Sequence, residues 1–366
     1  EISACLVGSE MCIRDRYTSE SFEEGTVGLD MTLSLFEGFS RINQVRFRKM
    51  NKERSEWELK EKQNELAYQV TDAYYKLILE RKLLDLALEQ SRLSERYLKQ
   101  TEVFVELGLK SASDLQEVKA RREGDIYRYQ SRENSSRIAL LHLKQLMNIQ
   151  PGDTLAILDT ITASQLPPYS VSTVETLYAQ SIEILPSIRM IDLKQKAAHK
   201  EYAIAGGAFS PSVFARFTVG SNYYNTAFSA RQLRDNIGKY VGVGISFPLL
   251  SGLQRLTNQR KLKLNMYRLK NEEELEKQQL YTDIEQTLLS LHTGYSEHQQ
   301  ALSQLDAETL VLKESERKWE EGLISVFQLM EARNRFIAAK AELVRVRLQI
   351  EMMMKLEKYY RQGTFL

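Results

Sequence analysis

The chain has 366 residues, with 50 Lys and Arg against 49 Asp and Glu, 43% hydrophobic and 27% charged residues, a balance that allows two or three ordinary domains and excludes a disordered or collagen-like chain. Six prolines and 17 glycines are few for this length, and the mean hydropathy is −0.40, so long helices are favoured over a loop-rich fold. No apolar run approaches the roughly 18 residues of a membrane-spanning helix. Lys, Arg and Glu are interleaved along a near-neutral chain, which leaves no basic field for nucleic acid, and no nucleic-acid partner is expected.

Residues 5–16, CLVGSEMCIRDR, read as the translation of a transposon-type sequencing adapter, and Glu1 and Ile2 fit the same adapter. Residues 1–16 are therefore set aside as a scar outside the native protein. Both cysteines, Cys5 and Cys12, fall inside it, so neither disulfide nor thiol chemistry is expected of the native chain.

Residues 17–38 read as a loop remnant and a strand, because Val27, Leu29, Met31, Leu33 and Leu35 alternate with Gly28, Asp30, Thr32 and Ser34. Residues 39–150 read as a helical hairpin. From Phe39 to Leu107 there is neither Gly nor Pro, enough for a helix of roughly 100 Å, and Val70, Leu77, Leu84, Ser91, Leu98 and Val105 form a heptad seam. Gly108 suits a left-handed C-cap, with Leu109 after it; Ser111 suits an N-cap, with Asp114 three residues on. The chain is thus expected to reverse at a tip near 108–114 and return to about Ile149, before Pro151. Residues 151–210 have the turn chemistry of a linker, with one helix. Residues 211–252 read as two strands, through Val213, Ala215, Phe217 and Val219 and then Val241, Val243, Ile245 and Phe247, joined by a loop over roughly Thr226 to Lys239. Residues 253–362 read as a second helical hairpin, with Ile284, Leu291, His298, Leu305, Leu312 and Trp319 as its seam and a tip near 322–331 at Gly322, Leu323 and Ser325. Residues 363–366 are a tail.

One internal repeat at an offset of 214 organises all of this. VGLDMTLSLFEGFSRINQVR begins at Val27 and VGVGISFPLLSGLQRLTNQR at Val241; Gly38 pairs with Gly252 and Gly108 with Gly322. Each half is a strand feeding a long helical hairpin. The one-sided strands suit either a soluble sandwich or a membrane barrel, and alternation alone leaves both open.

No catalytic, cofactor or metal signature stands out. His142, His199, His292 and His298 lack an i+4 His or Cys partner, Gly242-Val243-Gly244 lacks the third glycine of a dinucleotide loop, and Met352 to Met354 suit helix packing. The duplicated tips carry more weight. They place Asp114, Gln328 and Glu331 on the first turns after each reversal, where they could line the closed end of a ring.

Through LFEG and FPLLSG at the strand–helix joints, GLKSASDL and GLISVFQL at the tips, and ILPSIRM with FSPSVFARF between the halves, residues 17–366 resemble the TolC family of outer-membrane efflux proteins. The resemblance implies a mainly α fold with a small β part: long antiparallel coiled-coil hairpins building an α-barrel, and strands of a trimeric transmembrane β-barrel, with joints at Gly38, Pro248 and Gly252. It implies a homotrimer in the outer membrane of a Gram-negative bacterium, in contact with its lipid and extending into the periplasm. There it would act as a passive exit duct for a periplasmic adaptor protein and an inner-membrane pump of RND or ABC type, in tripartite efflux or type I secretion. No enzymatic activity is implied. The family's constriction positions fall on Gln328 and Glu331, Gln328 departing from the usual Asp. Its inter-hairpin latch positions fall on Ser113, Asp114, Trp319 and Ile324, where Ile324 replaces a basic residue. The family protomer has four strands and begins with a helix and a strand ahead of Tyr17. Three strands per chain would give nine in a trimer instead of twelve, so a polypeptide beginning at Tyr17 is not expected to insert as a working channel. The competing readings are a soluble coiled-coil scaffold and a periplasmic adaptor, though an adaptor is expected to carry one hairpin, not two.

Overall fold

A computed structural model describes residues 23–150, 152–158, 166, 172–225, 230–247, 249 and 253–365. In chain order the elements are β1 (Glu23–Glu37), α1 (Ser40–Glu106), α2 (Ala112–Leu146), α3 (Val174–Ile184), α4 (Pro186–Gly207), β2 (Ser212–Asn225), α5 (Ala230–Asp235), β3 (Gly238–Ser246), α6 (Gln254–Glu320) and α7 (Val326–Gln362). Helices α1 and α6 are each 67 residues long, about 100 Å at 1.5 Å per residue. Their starts, Ser40 and Gln254, and their ends, Glu106 and Glu320, both stand 214 apart. The chain divides into two compact units, one holding residues up to Phe47 with Ala198–Leu264 and the other Arg48–Ala197 with Asn265–Leu366.

In the first unit, β1, β2 and β3 form an antiparallel sheet in that order. The register aligns Leu29 with Val219 and Lys239, Met31 with Phe217 and Val241, and Leu33 with Ala215 and Val243. Strand period 2 therefore collects most of the apolar residues of the three strands on one face, leaving Phe214 and Tyr240 on the other. The opposite face carries Gly28, Gly220 and Gly238 in one row, then Asp30, Thr218 and Tyr240, then Thr32, Arg216 and Gly242. A bulge between Ser34 and Phe36 shifts the register where β1 ends. There Gly38 adopts φ 57°, and a Cβ on it would lie 2.5 Å from the Gly207 carbonyl oxygen, so only glycine lets this joint close against the end of α4. Ser40 Oγ donates to the Ile204 carbonyl at 3.1 Å in the same corner. Pro248 and Gly252, the matching joint positions of the second half, lie outside the described residues.

Two expectations need correction. The β2–β3 connection is not loop throughout: α5 forms within it, held by a hydrogen bond from Ser221 Oγ to the Leu233 carbonyl and one of 3.0 Å from Asn236 Nδ2 to the Asn222 carbonyl. The segment between the halves holds two helices, not one. Leu185 is extended (φ −67°, ψ 132°), as a residue before proline must be, and Pro186 opens α4 at a position where its missing N–H is not needed.

In the second unit the helices pack along their seams. Leu177 of α3, Leu185 between the two helices and Ile188 of α4 bury against Ile284, Leu288 and Leu291 of α6 and Val346 and Ile350 of α7. Ala73 and Leu77 of α1 meet Leu143 of α2. Gly294 lies inside α6, where glycine weakens a helix; a Cβ there would come within 2.9 Å of Ile350 Cγ1, so its absence is what lets α6 and α7 approach.

Candidate functional site

Both hairpin tips are built from the same local parts. In the first, the Leu109 N–H donates to the Phe104 carbonyl at 2.8 Å and the Gly108 N–H to Val105 at 3.0 Å; in the second, Leu323 donates to Lys318 at 2.8 Å and Gly322 to Trp319 at 3.0 Å. These paired bonds are a Schellman ending, which requires the left-handed φ of 74° at Gly108 and 76° at Gly322. The apolar residue after each glycine does not fold back on its helix: Leu109 and Leu323 are 67% and 69% exposed.

The return helices then start on reciprocal caps. Ser111 Oγ accepts from the Asp114 N–H at 3.1 Å while Asp114 Oδ2 accepts from the Ser111 N–H at 3.0 Å. Ser325 Oγ accepts from the Gln328 N–H at 3.3 Å while Gln328 Oε1 accepts from the Ser325 N–H at 3.1 Å. A capping box accepts either side chain as the reaching group, so glutamine fills this structural role without charge. At the first tip, the Ser111 backbone N–H and then its hydroxyl hold the Asp114 carboxyl below the usual carboxylate range.

The other predicted tip residues separate into an outer and an inner set. Ser113 is exposed on the first turn of α2. Glu331 is exposed on α7, 3.5 Å from Arg335 Nη1, and Arg335 Nε in turn lies 3.4 Å from Glu308. Trp319 is 2% exposed and forms a cluster with Val118, Val326, Leu329 and Met330, with Ile324 packed on its edge. Its ring meets Tyr97 edge-on at 5.1 Å and Phe104 tilted at 5.8 Å. All four long helices therefore contribute to one apolar plug behind the tips. Trp319 Nε1 is buried in it without a partner.

Sequence reasoning missed a polar layer next to this plug. The Asp125 side chain is 0% exposed; it accepts from Gln90 Nε2 at 2.9 Å and from Ser94 Oγ, with Arg128 Nη2 at 3.3 Å. Gln90 also reaches Asn334 Oδ1 at 3.3 Å, which ties α1 and α2 to α7. Beside this layer, the buried Arg333 guanidinium sits 5.5 Å over the Tyr97 ring, and the Tyr97 hydroxyl donates to Glu316 at 3.4 Å. Burial pushes the Arg333 guanidinium below its ordinary range and the Tyr97 hydroxyl above it. A cleft of about 500 Å³ opens beside Asp125, between Leu83, Leu86, Arg128 and Ile337. One signal was available: Gln90, Ser94, Tyr97 and Thr101 follow the spacing of an inward helical stripe.

Among the described residues no group of three or more His, Cys, Asp or Glu is placed to hold a metal ion, and no helix is long and apolar enough to cross a membrane.

The model of the family described as "Outer membrane efflux protein" matches residues 9–148 and 177–352. No match was found among the curated proteins. Among solved structures, the chain is similar to the CmeC outer membrane channel of Campylobacter jejuni, with a TM-score of 0.80 at 12% identity over 94% of this chain and 77% of that one. It is also similar to the outer membrane protein VceC of Vibrio cholerae, with a TM-score of 0.77 at 15% identity over 95% and 88%. The open state of the MtrE outer membrane channel of Neisseria gonorrhoeae gives a TM-score of 0.73 at 16% identity over 95% and 81%. At these identities the likeness establishes the fold, a TolC-like α-barrel channel protomer, and the family match covers most of the sequence. The chain belongs to the outer membrane efflux protein family.

Proposed function

We propose that three protomers carrying this sequence form the exit duct of a tripartite efflux or type I secretion system. The strands close a β-barrel through the outer membrane of a Gram-negative cell, and the long helices form a periplasmic tunnel that is shut at the hairpin tips until an adaptor and an inner-membrane pump engage it. The observation that carries this reading is the apolar face of the sheet. Val27 and Leu29 of β1 and Val241, Val243 and Ile245 of β3 are between 66% and 74% exposed, and the register joins them on one face of the sheet through Met31, Leu33, Phe217 and Val219, which are also exposed. A contiguous apolar face of this size needs a cover, and its strict alternation with small and polar residues is that of a wall between lipid and water. At the tips, the exposed Leu109 and Leu323 offer an adaptor two equivalent apolar contacts per chain, and Glu331 and Gln328 are the groups that would stand where the tunnel closes. The duct has no chemistry of its own.

Planar-bilayer recording of the detergent-purified full-length protein tests this. Discrete openings from trimers support the duct, and substitutions at Glu331 should change their size or ion preference. A protein that extracts without detergent as a monomer and conducts nothing would instead be a coiled-coil scaffold.

A further inference from the structure

We infer that Arg216 forms an anion-binding ring inside the barrel, at the middle of the membrane, that takes multivalent solutes bearing phosphate or carboxylate groups. The site rests on the barrel reading above. Arg216 pairs across β2 with Thr32 on one side and Gly242 on the other. Its chain neighbours Ala215 and Phe217 lie on the apolar face, in the rows Leu33–Ala215–Val243 and Met31–Phe217–Val241. The arginine therefore sits at the height of the apolar band but on the opposite face. A charge at that depth is costly unless it faces water, and an ionisable group kept there marks a solute path.

Three features make this guanidinium available. Among the described residues it has no carboxylate within 4.0 Å and no hydrogen-bond partner. The carboxylate one row away, Asp30, already accepts from Thr218 Oγ1 at 2.7 Å. Across the ladder it faces the short Thr32 side chain on β1 and no side chain on β3, because Gly242 has none; the Tyr240 ring lies over that glycine, and the Phe214 ring lies over Gly244 so closely that a Cβ there would come within 2.5 Å. The two aromatic rings thus line the wall instead of filling the lumen. One exposed arginine is a weak anion site. Threefold repetition places three planar forks around one axis, between low-dielectric walls that concentrate their field, and each fork matches the paired oxygens of phosphate or carboxylate. Asp30 lies about 7 Å farther along the strands, away from the helical end, and moderates the affinity.

Isothermal titration of pyrophosphate into the detergent-purified full-length trimer tests the ring without requiring the tip to open, because the lumen is reached from the barrel mouth. Saturable binding is expected, weakened about tenfold or more in Arg216→Gln, intermediate in Arg216→Lys, which keeps the charge and loses the fork, and strengthened in Asp30→Asn. Equal binding by the parent and Arg216→Gln trimers, or none by the parent trimer, overturns the anion ring and leaves the duct standing. A parent protein that is monomeric after purification overturns the barrel reading itself, and the ring with it.

Discussion

Replacing Trp319 with alanine should loosen the tips while the rest of the helical bundle stays folded. The ring is fully enclosed between Tyr97 and Phe104 of one hairpin and Val326, Leu329 and Met330 of the other, so its removal leaves a cavity in the contact that joins them. Core Trp-to-Ala changes cost about 3–5 kcal/mol, of which the two aromatic contacts account for about 0.5–1.5 kcal/mol each. Because the cluster lies within a few turns of Gly108 and Gly322, the loss falls on local opening of the tip and not on the distant core around Ile284 and Ile350. A loss of about 3 kcal/mol raises the open population about 150-fold. Amide hydrogen exchange over 104–118 and 319–330 should accelerate by that order, with no change over 280–295, and bilayer conductance should rise. Trp319→Phe separates packing from hydrogen bonding. The indole N–H has no partner, so phenylalanine removes an unmatched buried donor, worth about 1–3 kcal/mol, against a smaller loss of apolar area, and exchange should stay near the parent's. Unchanged tip exchange in Trp319→Ala, or equal acceleration in both variants, would refute the reasoning.

The two tips should respond differently to acid. Asp114 has a folded value below its unfolded one, so its cap is complete above about pH 3.9 and is lost as pH falls through the lower folded value. Gln328 does not titrate, and protection of the Leu115 amide should therefore fall across this range while that of Leu329 holds. Asp125→Asn should lower stability by about 1.5–3 kcal/mol, because a buried carboxylate bonded to Gln90, Ser94 and Arg128 loses its charge-assisted bonds; thermal unfolding followed at 222 nm reads this, with Glu133→Gln, which breaks the solvent-facing pair with Arg137 on α2, as a control changing it by about 0.5 kcal/mol or less. Gly108→Ala and Gly322→Ala should each cost about 1 kcal/mol, since nothing lies within 4 Å of either added Cβ and only the left-handed backbone resists. Markedly unequal losses would show that one tip is held by contacts outside this chain.

What the sequence displayed was whatever repeats. A period of 2 exposed the sheet, a period of 7 exposed the seams, and the offset of 214 located both tips, because each is enforced at many positions at once. The polar layer was hidden for the complementary reason. Gln90, Ser94, Asp125 and Asn334 are ordinary residues for the surface of a long helix, and only the packing of α1, α2 and α7 turns them inward. Helix α5 was missed because six residues with Arg231, Arg234 and Asp235 carry no apolar stripe, and its support comes from Ser221 and Asn222 on a neighbouring strand. The break at Leu185-Pro186 was visible as a proline, but a proline at the first position of a helix and one that ends a helix look alike without the residues packed around them.

The two halves share a frame and differ in chemistry, and the difference lies at the hairpin tips. A capping box needs an acceptor at its third position and is indifferent to charge, so the exchange between Asp114 and Gln328 leaves both helices equally well started while removing one negative group per chain from the second tip. Farther along α7, Glu331 is drawn toward Arg335, which Glu308 also engages. Ile324 adds to the apolar plug around Trp319. Within each chain, the contact between hairpins behind the tips is therefore carried mainly by aromatic packing and by the buried Gln90–Asp125–Asn334 layer, to which the exposed Lys340–Glu89 pair at 3.6 Å adds little. Such a contact is nearly insensitive to salt. If this contact is what holds the duct shut, ionic strength alone should not open it, and opening should require a partner that competes for the same apolar surface.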